Sequence, residues 1–138
     1  MNRKTVVALL GAVVIALMAA GTALAGSTGP AVTVQIKTLS KTLKTAVVHG
    51  QTGWITKGGT PKGKCSASKA AGALGAATHG RWTGKYYAGT GIFISSILGV
   101  KPTGSDYWGV YVNGKFSSKG ICEVSLRAGE RLLFKIVK

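Results

Sequence analysis

Asn113-Gly114 stands between "SDYWGVYV" and "KF" near the end of this 138-residue chain. Both residues tolerate φ > 0, so the pair closes a hairpin through a type I′ turn whose twist matches that of the flanking strands. The turn also fixes which side chains share a face. Counting back in twos, Tyr107, Gly109 and Tyr111 fall on one face, and Trp108, Val110 and Val112 fall on the other. Trp108 shares its face with two valines and reads as core. Tyr107 and Tyr111 flank a glycine, which leaves two readings open. The rings border a shallow platform for a flat ligand, a sugar or another backbone, or that face packs under a helix or loop.

The same period of two recurs elsewhere. "AVTVQIKTL" puts Val32, Val34 and Ile36 on one side, with Thr33, Gln35 and Lys37 on the other, as a half-buried strand does. "LKTAVVHG" is its expected hairpin partner. "QTGWITKGGTPKGKC" is rich in glycine and proline and reads as a long loop. "CSASKAAGALGAATHG" predicts a helix with its N-cap at Ser66 or Ser68 and Gly80 just past its end. Gly72 and Gly75 each weaken such a helix by about 1 kcal/mol relative to Ala, and close packing on a sheet is the use we assign them. "RWTGKYYAGTGIFISSILGV" predicts one or two twisted strands. "RLLFKIV" closes the chain with Leu132, Phe134 and Ile136 on a common face. These elements predict an α+β fold: a small, mainly antiparallel sheet with one helix on one side.

Residues 1–25 read as a secretory signal rather than as part of the fold. Asn2-Arg3-Lys4 is a positive n-region, an apolar run follows, and Thr22-Ala23-Leu24-Ala25 has the small-x-small pattern of a cleavage site. The rival reading is an anchor that is kept, since the run approaches the ~20 residues of a membrane span. Cleavage near Ala25 leaves 26–138 as one exported domain. Its two cysteines, Cys65 and Cys122, are the only ones in the chain, and in an oxidising compartment they are expected to form a disulfide. Closing so long a loop contributes on the order of 4 kcal/mol in the chain-entropy model.

The 18 Lys and Arg residues include Arg3 and Lys4, so 26–138 keeps 16 of them against three acidic residues. Such an excess draws polyanions through its long-range field. Outside a cell these are wall polymers, acidic polysaccharides and membrane surface, with nucleic acid a lesser candidate. The lysines are scattered rather than clustered, so a merely solvating surface is the alternative. Chemistry has few carriers. Asp106, Glu123 and Glu130 are far apart in sequence, His49 and His79 stand alone, and no HExxH or GxSxG occurs. Neither catalytic nor metal-ligating residues are therefore expected.

"YWGVYVNGK", then "GIC", then "LRAGERLLFKI" resemble a domain-of-unknown-function family related to the C-terminal β-domain of transcobalamin and intrinsic factor. The upstream Cys65, the Ala-rich helix and "RWTGKYY" are similar to segments of its small exported bacterial members. The resemblance spans about 65–136, with Glu130 where the family has Asp. It implies a compact domain of strands plus one helix, and it raises cobalamin as a ligand held jointly with a partner chain.

The function expected from these residues is a secreted, non-enzymatic binding or adhesion module of the bacterial envelope. Tyr107 and Tyr111 would face the ligand, and the partners would be anionic envelope polymers or another protein. A cobalamin-type site shared with a second chain is the alternative, and a small hydrolase with a spatially assembled triad is the remote one.

Overall fold

A computed structural model describes residues 29–138. The expected leader and its cleavage point lie outside these residues. Strand β1 (Ala31–Lys37) buries Val32, Val34 and Ile36, as the alternation requires. Strand β2 (Thr42–His49) returns antiparallel, from Ala31 opposite His49 to Lys37 opposite Thr42. The Thr38 hydroxyl closes the turn between them by accepting the N–H groups of Ser40 and Lys41.

A long loop with a single 3-10 turn at Lys57–Gly59 leads to helix α1 (Ala70–Thr78). Strands β3 (Trp82–Tyr87) and β4 (Gly91–Ile97) then pair with each other alone. Strand β5 (Tyr107–Val112), the two-residue β6 (Lys115–Phe116) and β7 (Arg131–Val137) complete the chain.

The main sheet has five strands in the order β2-β1-β7-β5-β6. Three of its pairings are antiparallel. The fourth joins β1 to β7 in parallel, with Val34 opposite Leu132 and Ile36 opposite Phe134. The first and last strands are thus neighbours at the middle of the sheet. One sheet face carries Val32, Val34, Ile36, Trp108, Val110, Leu132, Phe134 and Ile136. Leu74 of α1, with Trp82, Ile92 and Ile97 of the β3–β4 hairpin, completes the core against it. The α+β expectation holds. Among the described residues, no helix is long and apolar enough to cross a membrane.

Cys65 and Cys122 are bonded, with their Cα atoms 4.9 Å apart. The bridge ties the loop before α1 to the segment between β6 and β7. This explains why neither expected serine caps the helix. Lys69 is the N-cap and makes no side-chain cap bond, while the Ser66 hydroxyl takes the N–H of Ser68 instead. The N–H groups of Ala70 and Ala71 donate to the carbonyls of Val124 and Ile121, each at 3.0 Å. Backbone delivered by the cystine satisfies donors that a serine would otherwise serve. At the far end His79 (φ 51°) is the C-cap and Gly80 (φ 75°) follows just past the helix as expected, its N–H reaching the Gly75 carbonyl at 2.8 Å.

Candidate ligand face

The reverse face of the main sheet follows from the same registers. Thr45, Gln35, Leu133 and Tyr111 run across it as cross-strand neighbours, as do Lys37, Lys135 and Gly109 one step further along. Apart from Gly109, which is buried, these residues are half-buried or exposed, in contrast to the sealed core face. A shallow depression of about 450 Å³ opens here, lined by Thr33, Gln35, Thr45, Asn113, Arg131 and Leu133 among others. Side chains of Thr, Gln, Asn and Arg stand around it beside Leu132 and Leu133, apolar atoms make up more of its wall than polar ones, and Arg131 is its only charged lining residue. None of Asp106, Glu123 and Glu130 lies within a strand. No carboxylate lines the depression, and the Glu130 side chain, next to Arg131 in sequence, accepts the Arg127 N–H at 2.9 Å.

Asn113 (φ 49°) and Gly114 (φ 83°) form the expected turn. Asn113 has a further task. Its Oδ1 accepts the Arg131 N–H at 3.0 Å, and its own N–H donates to the Arg131 carbonyl at 2.8 Å. The hairpin tip is thereby fastened to the start of β7, which positions Arg131 at the rim of the depression.

Trp108 is core, only 6% exposed, whereas Tyr107 is 43% exposed on the other face. Tyr111 is half-buried and meets Phe116 edge-to-face, with ring centroids 5.5 Å apart. The gap expected over Gly109 is filled rather than open. A Cβ there would come within 3.3 Å of the Phe116 ring and 3.5 Å of the Tyr111 ring. Tyr107 and Phe116 remain as the accessible rings, and Tyr111 supports Phe116. The sequence reading missed Phe116, although the two-residue turn pairs Tyr111 with it. It also missed Tyr87 and Phe93, which pack edge-to-face at 5.8 Å on the β3–β4 hairpin, with the Lys85 ammonium 5.3 Å from the Tyr87 ring.

The lysines divide by task. Lys57 donates to the carbonyls of Gly80 and Trp82 at 2.9 and 2.8 Å and lies 5.1 Å from the Trp82 ring centre, so it holds the long loop against the end of α1. Lys69 donates to the Ser125 hydroxyl at 2.8 Å. Both are structural. Lys37 and Lys135 sit beside each other on the reverse face. His49 approaches the Gly29 carbonyl at 3.0 Å, and His79 occupies the helix end. Among the described residues, no three His, Cys, Asp or Glu side chains group closely enough to hold a metal ion.

A five-stranded sheet backed on one side by a helix and a hairpin, and braced by one cystine, defines a small α+β domain. Residues 68–138 match the family model described as Domain of unknown function (DUF4430), and the chain belongs to that family. The solved structure of haptocorrin in complex with Cbi is similar over 79% of this chain, with a TM-score of 0.57 and 18% identity. This chain spans only 25% of the haptocorrin chain. A candidate metal binding protein from Ruminococcus gnavus is similar over 79% of this chain and 97% of its own, with a TM-score of 0.54 and 11% identity. At such identities the likeness is one of fold. Among curated proteins, none matches in sequence.

Proposed function

We propose that this chain is a non-enzymatic binding module of an exported envelope protein, and that the reverse face of its main sheet takes an anionic, chain-like ligand. The depression beside Arg131 carries this reading: it is concave, Thr33, Gln35, Thr45 and Asn113 offer polar groups beside the guanidinium, and no carboxylate lines it. Lys37 and Lys135 extend the positive charge along the face, and Tyr107 and Phe116 offer apolar surface to the backbone of a sugar or polyol. The cystine suits an oxidising compartment, in keeping with the leader.

The test is titration of the protein with a purified glycerol-phosphate wall polymer at low and physiological salt. Affinity is expected to fall steeply as salt rises, because each neutralised phosphate releases a counterion. It is also expected to fall several-fold in Arg131→Ala. Binding that stays flat across the salt range removes the cations from the mechanism.

The likeness to haptocorrin supports a second reading, in which the domain contributes to a cobalamin-type site. Since the chain spans a quarter of that protein, a partner chain would supply the remainder. Titration with cobalamin, followed by its visible absorption, separates the two readings.

A further inference from the structure

We propose that the groove between β4 and β5 is a docking site for an extended acidic peptide, which adds to the free edge of β5 as a strand. The groove, about 220 Å³, is separate from the depression at Arg131, although Tyr107 and Phe116 border both the groove and the reverse face. Ile92, Phe93 and Ile94 form one wall, Tyr107 and Phe116 stand on the other, and Lys119 is its only charged lining residue.

The main-chain groups of β5 set the mode of binding. One edge of β5 pairs with β7 along its full length. On the other edge β6 covers Tyr111 and Val112 alone, and the Ser117 N–H adds a bond to the Val110 carbonyl at 2.8 Å. Ladder bonds alternate sides along a strand, so the Val110 N–H and both backbone groups of Trp108 point to that same uncovered edge. Among the described residues nothing bonds them. Across the groove, β4 pairs with β3, and its last residue, Ile97, also bridges Val100.

Proteins guard free edges with charge, proline or short length, because an unguarded edge recruits other strands. The outer strand β2 follows this rule, with Lys44 within it. The edges at the groove do not. "GIFISSI" of β4 and "YWGVYV" of β5 contain no charged residue and no proline. Phe93, Tyr107 and Phe116 are 56%, 43% and 53% exposed around them, an amount of bare aromatic surface that marks a contact site.

Unpaired N–H and C=O groups in strand register are matched by polypeptide backbone, and alternate side chains of the added strand supply selectivity. Those turned inward would meet the Ile92, Phe93 and Ile94 wall. Those turned outward would pass Tyr107 and Phe116 and reach Lys119 at the groove, with no carboxylate lining the groove. The matching segment alternates apolar and acidic residues, and about four of them cover Tyr107–Val110.

The probe is a capped hexapeptide alternating Val and Glu, added to the ¹⁵N-labelled protein. The Trp108 and Val110 amides are expected to shift and to exchange with solvent at least tenfold more slowly. N-methylating alternate amides of the peptide removes its ladder donors and is expected to abolish binding, and a Val/Lys version should bind at least tenfold more weakly. Phe93→Glu places a negative charge in the groove at an exposed position that the fold tolerates, and should weaken binding of the acidic peptide at least tenfold. The polymer titration with Arg131→Ala reads the depression on the reverse face, whose lining shares no residue with the groove. Shifts confined to Thr33, Gln35 and Arg131 would overturn the proposal, as would equal binding of the N-methylated peptide. So would protection of the Trp108 and Val110 amides by rising protein concentration alone, since a second copy would then hold the edge.

Discussion

Gly72 and Gly75 lie three residues apart on α1 in quite different surroundings. A Cβ on Gly72 would collide with the carbonyl oxygen of Ala67, at the bend where the chain enters the helix. A Cβ on Gly75 would touch only the Trp82 indole nitrogen, at 3.7 Å. Helix propensity alone favours Ala at both sites by about 1 kcal/mol. The expected outcome is a split in sign: Gly75→Ala keeps or raises the melting temperature, and Gly72→Ala lowers it by the equivalent of about 1–3 kcal/mol. Equal melting shifts would show that the bend yields. Reading the sequence assigned both glycines to close packing on a sheet. The structure places the tight contact of Gly72 on the preceding loop, a position that no helical pattern encodes. The two tyrosines and Trp108 divide similarly. Trp108→Ala removes a buried ring and should cost about 3–5 kcal/mol, whereas Tyr107→Ala should cost under about 1 kcal/mol. Thermal melts of the two variants check the contrast.

The β5–β6 hairpin shows how much one turn can specify. Asn-Gly fixed the faces of β5 and the pairing of Tyr111 with Phe116, because a two-residue loop permits one register. The bond from the Arg131 N–H to Asn113 Oδ1 adds a demand that the turn type does not predict. Asn113→Gly keeps the backbone conformation and loses only this acceptor, so it should cost about 1 kcal/mol. Asn113→Ala loses the acceptor and also strains φ, so it should cost more. A melt in which Gly is no better than Ala would show that φ > 0 carries no strain here. Alternation likewise made β1 and β7 legible, and β2 followed as the hairpin partner of β1. Their neighbours were less so. Nothing local says that β7 sits beside β1 rather than at an edge, or that β3–β4 stays a separate pair, since such choices follow from how distant apolar faces close over one another. The start of α1 escaped for a related reason: its donors are served by residues some fifty positions later, brought there by the cystine.

For the molecule as a whole, the cystine closes a loop of 57 residues and should contribute about 4 kcal/mol. Cys122→Ser is expected to lower the melting temperature markedly, and an unchanged melt would show that packing alone holds α1 to the Ile121–Val124 segment. The family match begins at residue 68, yet β7 needs β1 beside it, and the core needs Val32, Val34 and Ile36. A fragment of residues 68–138 should therefore show no cooperative melt and should self-associate in sedimentation. The parallel pairing of β1 with β7 has a mechanical consequence as well. Tension drawn between the two ends of the fold enters at Ala31 and leaves at Val137, along neighbouring strands that point the same way. The load runs lengthwise down their shared ladder and strains its rungs together, where an antiparallel hairpin pulled at its open end would unzip one rung at a time. The two strands act as a clamp, so a module tethered at both ends would resist stretching up to a sharp threshold and then yield all at once.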